Sequence, residues 1–174
     1  AKEHTFAPLF GATGYGRSTA VKAYYEHFTE KYKGVAKWHK KLGKEAITLL
    51  RITNVSGRQY AFPDVHRREN GSISHMTSIK NYPVQGFATG DVVPVVLMEL
   101  EERLKPLQSC LVNTVHDSAV IDIHPKEKDY VIAIIHSMNE DLTRIIAEAY
   151  DVEMNVPLLL EAKIGPNWLD TVDV

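Results

Sequence analysis

Two short stretches hold residue types that could do chemistry. In TVHDSAVIDIHP, residues 114–125, a histidine and an acid, His116 and Asp117, stand side by side between two apolar runs. Leu111, Val112 and Val115 read as one strand, and Ala119, Val120, Ile121 and Ile123 read as another. His116, Asp117 and Ser118 then fall at the bend of a hairpin. An acid at such a bend is either a turn-former or a carboxylate held out for use. In KEHTFAPLFG, Lys2, Phe6 and Phe10 recur every four residues ahead of Gly11, which puts them on one helix face. A cation beside two aromatic rings suits a triphosphate below a flat base. It equally suits an amphipathic helix with a snorkelling lysine.

The elements that must position these residues follow from periodicity. Ser18 or Thr19 can cap a helix running to about Tyr32, and Gly34 separates it from another that carries Val35, Trp38 and Leu42. AITLLRITNVSGRQYAFPD reads as strand, Ser-Gly turn and strand, and VHRRENGS as a polar, basic loop. Helices are expected near 74–81 and 88–104, the second kinked at Pro94. A long helix over 127–149 carries Tyr130, Ile134, Met138, Leu142, Ile145 and Ala149 on one apolar face, and VPLLLEAKIG reads as a last strand. Helices interspersed with antiparallel strands give an α+β fold class.

Bulk properties narrow the function classes. The 174 residues are 44% hydrophobic and 24% charged, as in a water-soluble globular domain. No apolar run is long enough to span a bilayer and no signal-peptide pattern opens the chain, so a cytoplasmic location with no membrane partner is expected. Cys110 stands alone and reads as a buried, reduced thiol. The net charge of −2 hides an asymmetry. Residues 1–90 hold 14 Lys and Arg against 6 Asp and Glu, a formal +8, while residues 91–174 hold 6 against 16, a formal −10. A basic first half suits a polyanion, and a solvated lysine face would look the same.

KEHTFAPLFG, NYPVQG and VNTVHDS occur in this order, and the chain closes with LLLEAKIGPNW. Together these motifs resemble the C-terminal part of the family A DNA polymerases, the class of bacterial DNA polymerase I and several phage replicases. The resemblance covers essentially the whole chain and implies a polymerase palm with part of the fingers. Residues 1–46 would be the remainder of the fingers, and 47–174 the C-terminal palm with its catalytic hairpin at 110–124. It implies DNA-directed DNA polymerase activity on primer-template DNA and deoxynucleoside triphosphates, by a two-metal mechanism with Mg²⁺. Lys2 would contact the triphosphate and assist loss of pyrophosphate. Phe6 would lie against the nucleotide sugar, and Phe10 beside the nascent pair, where the family usually has tyrosine. Asn81 and Gln85 would reach the minor groove, His116 would approach the primer end, and Asp117 would be one of two metal-binding aspartates. Arg17, Lys22, Arg67, Arg68 and Lys80 are candidate phosphate contacts, or else solvated surface cations.

Ser118 stands where most of the family has glutamate, which weakens a water or metal contact. The family's other catalytic aspartate matches nothing here, and Asp122 reads as a solvent-facing strand residue. The sequence is therefore expected to be a fragment or split subunit, inactive alone, whose second carboxylate, thumb and N-terminal palm come from an upstream half. The 127–149 helix or the strands beside the hairpin would offer that half an apolar face. The competing reading is a non-catalytic nucleic-acid-binding or assembly module that kept the palm. The drift in HDS and LFG points to a phage-infected host as readily as to a bacterial cell. His4, His27, His39, His66, His75, His124 and His136 share no ligand spacing. Trp38 and Trp168 read as packing anchors.

Overall fold

A computed structural model describes residues 7–10, 16 and 18–174. The chain divides into two compact units, Ala1–Phe87 and Ala88–Val174. The expected border between residues 46 and 47 falls inside a helix of the first unit. Among the described residues no helix is long and apolar enough to cross a membrane.

In the first unit, helices α1 (Thr19–Lys31) and α2 (Lys33–Leu49) precede the antiparallel pair β1 (Arg51–Thr53) and β2 (Gln59–Ala61), which α3 (Met76–Gln85) follows. The break between α1 and α2 lies at Tyr32, and Gly34 is helical. Residues 46–49, expected to be strand, are the last turn of α2. Ala46 continues the 3.6-residue stripe begun by Leu42, and burying it outweighs the β preference of the local run. Leu50, at φ 52°, ends the helix. Leu42, Ala46, Ile52, Phe62, Val65 and Ile79 form the core, with Trp38 packed against it as expected. Gly43 lets α2 approach closely, because a Cβ there would stand 2.9 Å from Ile73 Cδ1. Helix α1 has no buried residue. α3 runs past its expected end and contains Pro83 two residues before its last residue, Gln85.

A π-helical stretch, Gly86–Val92, leads into α4 (Val93–Leu104). Pro94 therefore sits in the first turn of α4, directly after the π-helical stretch. The hairpin of β3 (Cys110–Val115) and β4 (Ser118–Asp122) comes next, then α5 (Lys128–Tyr150). Leu100, Leu104, Val131 and Met138 make the core of this unit, lined by Leu111, Ile121 and Ile123 from the hairpin. α5 turns Val131, Met138, Leu142 and Ile146 inward. The expected apolar face was rotated, since Tyr130 is exposed and Ala149 faces water. Arg103 of α4 bridges Glu99 at 2.7 Å and Asp141 of α5 at 3.1 Å.

The last expected strand shrinks to β5 (Lys163–Ile164), paired with β6 (Val172–Asp173). Side chains of α5 take up the backbone before it: Leu158 N–H donates to Thr143 Oγ1 at 3.1 Å, and Asn139 exchanges two hydrogen bonds with Leu160. Trp168, 71% exposed, anchors nothing, and Cys110 is exposed rather than buried.

Candidate functional site

The hairpin is tighter than its sequence suggested. Val115 pairs with Ser118, leaving His116 and Asp117 as a two-residue turn. His116 adopts φ 56°, which such turns need and which costs a non-glycine residue about 1–2 kcal/mol. Ser118 belongs to β4, and its hydroxyl donates to the Val115 carbonyl at 2.9 Å. His116 and Asp117 are both exposed. Among the described residues nothing hydrogen-bonds to the Asp117 carboxylate or pairs with it. A turn-forming aspartate accepts from nearby backbone N–H groups. This one does not, so its oxygens are open to solvent and ligands. Asp122 faces solvent on β4, as expected, opposite Cys110.

A bulge at Val112 shifts the register between Leu111 and Asn113. The base of the hairpin is fixed by Glu127. Its carboxylate accepts from Gln108 N–H at 3.0 Å, from Ser109 N–H at 2.8 Å and from the Ser109 hydroxyl at 2.7 Å. Ser109 Oγ in turn accepts from His124 N–H at 3.0 Å. Those donations, Gln108's first, hold the Glu127 carboxyl below the usual carboxylate range. The sequence reading missed Glu127, whose only local signal is an acid three residues past the end of a strand run.

Asn81 and Gln85 lie four residues apart on α3, hence on one face, Asn81 half-buried and Gln85 exposed. Arg67 and Arg68 are exposed on a loop closed by an Arg67–Ile73 bridge and by Arg68 N–H donating to the Ser72 carbonyl at 2.7 Å. Phe10 is half-buried. Lys2, Phe6 and Arg17 lie outside the described residues. Lys22 is exposed on α1. Lys80, read as a phosphate contact or else a solvated surface cation, is 8% exposed, and burial lowers the pKa of its ammonium. His39 packs beside it, with its pKa pushed down to about 4 by burial first and the Lys80 charge second, against a hydrogen bond to the Leu9 carbonyl.

A divalent ion needs several oxygen ligands. Asp117 has the right chemistry for one of them. Among the described residues no group of three His, Cys, Asp or Glu side chains could hold an ion. The hairpin therefore fits a hard cation as a contributor and not as a complete site.

The sequence profile of DNA polymerase family A matches residues 3–170. DNA polymerase I of Lactococcus lactis subsp. lactis (strain IL1403) is 24% identical over 181 residues, covering 98% of this chain and 19% of that protein. The thermostable DNA polymerase I of Thermus filiformis is 26% identical over 178 residues, covering 98% and 20%. The chain thus spans about a fifth of the length of these curated relatives. Among solved structures, the POL domain of Pol1 from M. smegmatis, in complex with DNA primer-template and dNTP, is similar at a TM-score of 0.71 and 21% identity. That similarity covers 90% of this chain and 28% of the other, and it establishes the shared α+β fold.

Proposed function

The chain belongs to DNA polymerase family A, and from that membership we propose that it serves template-directed transfer of deoxynucleotides to a primer 3′-hydroxyl. The observation that carries the reading is Asp117: an exposed carboxylate with no partner among the described residues, on a two-residue turn whose first residue is held in a left-handed conformation. Asp117 would supply one oxygen ligand to Mg²⁺, a hard ion that shares phosphate oxygens and waters. Two such ions, when bound, activate the primer hydroxyl and offset the charge on the leaving pyrophosphate. Lys2 would neutralise the triphosphate, with Phe6 against the sugar and Phe10 beside the nascent pair. Asn81 and Gln85 would offer amides to the minor groove and His116 would approach the primer end. Arg17, Arg67 and Arg68 would meet backbone phosphates. The division into a fingers remainder and a C-terminal palm, and a cytoplasmic place of action, belong to the same reading.

One aspartate cannot hold two ions, so a second carboxylate must come from polypeptide outside these 174 residues, in cis or in trans. The test is primer extension with Mg²⁺ and four deoxynucleotides, using this chain alone and mixed with the polypeptide encoded upstream. Extension is expected only in the mixture, and Asp117→Ala is expected to abolish it. Extension by the chain alone would refute the need for a second carboxylate. Silence from two folded, associated pieces would favour the other reading, a nucleic-acid-binding module. Ser118 supports that alternative, because its hydroxyl closes the turn instead of facing a metal.

A further inference from the structure

A cleft of about 600 Å³ opens between α1 and α2 in the first unit, and the mechanism above does not use it. Its lining includes His39 and Lys80, each more than nine-tenths buried. Among the described residues His39 Nε2 is buried without a hydrogen-bond partner, while the ring makes a hydrogen bond to the Leu9 carbonyl. No carboxylate among the described residues pairs with Lys80, and a buried ammonium without a counter-charge is costly. Half-buried Tyr25 and Phe28 add flat apolar walls, and exposed Glu26 and Glu30 stand in the lining. The volume is that of a small-molecule site.

We propose that this cleft binds one nucleotide unit: the phosphate on Lys80 and the base against Tyr25 and Phe28, with the neutral ring of His39 forming part of the wall. The cation supplies the counter-charge it lacks, and base-aromatic stacking adds sequence-tolerant affinity. Glu26 and Glu30 disfavour a triphosphate and leave a monophosphate or a backbone diester. A free nucleotide and a nucleotide within an unpaired strand share this chemistry. The site is independent of Asp117, so it stands whether or not the chain takes part in polymerisation.

Calorimetric titration of the 174-residue chain with deoxyadenosine monophosphate, a short oligodeoxythymidylate and inorganic phosphate tests the assignment. Saturable binding of at least one of the two nucleotide probes is expected. Lys80→Met should weaken it at least about tenfold. The melting temperature should stay unchanged or rise, because an uncompensated charge has left the interior. Tyr25→Ala should weaken the nucleotide probes and leave inorganic phosphate unaffected. Tighter binding of the oligonucleotide than of the monophosphate assigns the strand as the natural source, and the reverse order assigns the free nucleotide. Binding of inorganic phosphate alone, undiminished affinity in Lys80→Met, or no saturation by any probe would overturn the proposal.

Discussion

Two histidines of this chain matter at the scale of single residues. His116 takes a left-handed backbone at the turn, and His39 is neutral in the interior. The second has a consequence for pH. The folded pKa of His39, about 4, lies below its ordinary 6.5, so as pH falls the unfolded chain takes up the proton first. Its contribution to stability is whole above 6.5, shrinks as pH falls from 6.5 toward 4, and is gone below that. The loss should be on the order of 3 kcal/mol. Thermal melts across that window should drop more steeply for the native chain than for His39→Leu, and parallel curves would show that His39 is not the titrating group. The bend that carries Asp117 was legible in the sequence, though one residue too wide, because a turn between apolar runs is a local feature. His39 and Lys80 were not, because what buries them arrives from segments distant in the chain.

Elements turned out to be legible in proportion to their length. The 23-residue α5 was found within a residue at each end, although its inward face was misjudged by one position. Short segments were decided by tertiary partners. Residues 46–49 became helix because the core claimed Ala46, and residues 156–160 lost their strand to the side chains of Asn139 and Thr143. Glu127 shows the same influence on the hairpin, gathering the N–H groups of Gln108 and Ser109 into one carboxylate. Glu127→Ala should leave those groups without their acceptor and loosen the base of β3. Hydrogen exchange at the amides of 108–122 should accelerate, while exchange in the middle of α5 should stay slow. Unchanged exchange in the hairpin would mean that its register holds without the clamp. Because the carboxyl's pKa is lowered, the same loosening should set in for the native chain as pH falls below the ordinary carboxylate value of 4.5.

At the scale of the molecule, the charge asymmetry follows the division into units. Residues 88–90 carry no charge, so Ala1–Phe87 has the formal +8 and Ala88–Val174 the −10. If the basic unit meets DNA through Arg67 and Arg68, affinity should fall steeply with salt. Replacing both with alanine should lower the slope of log affinity against log salt by about 2. Anisotropy of a labelled primer-template across a salt series measures it, and an unaltered slope would return both arginines to the solvated surface. The family was legible because its motifs are short and ordered. The chain spans about a fifth of the length of the curated relatives, so the motifs speak for that part of the family alone.

The hairpin that holds Asp117 clear of its surroundings is a sheet of two strands. No third described strand meets either of its outer edges, and Val112 and Val115 are exposed on it. Rows of unmet backbone donors and acceptors are a template for cross-β growth. Openness of the carboxylate and stickiness of the strand that displays it are therefore a single property. Aggregation of this chain should therefore rise with protein concentration, and a charge introduced at Val112 should slow it.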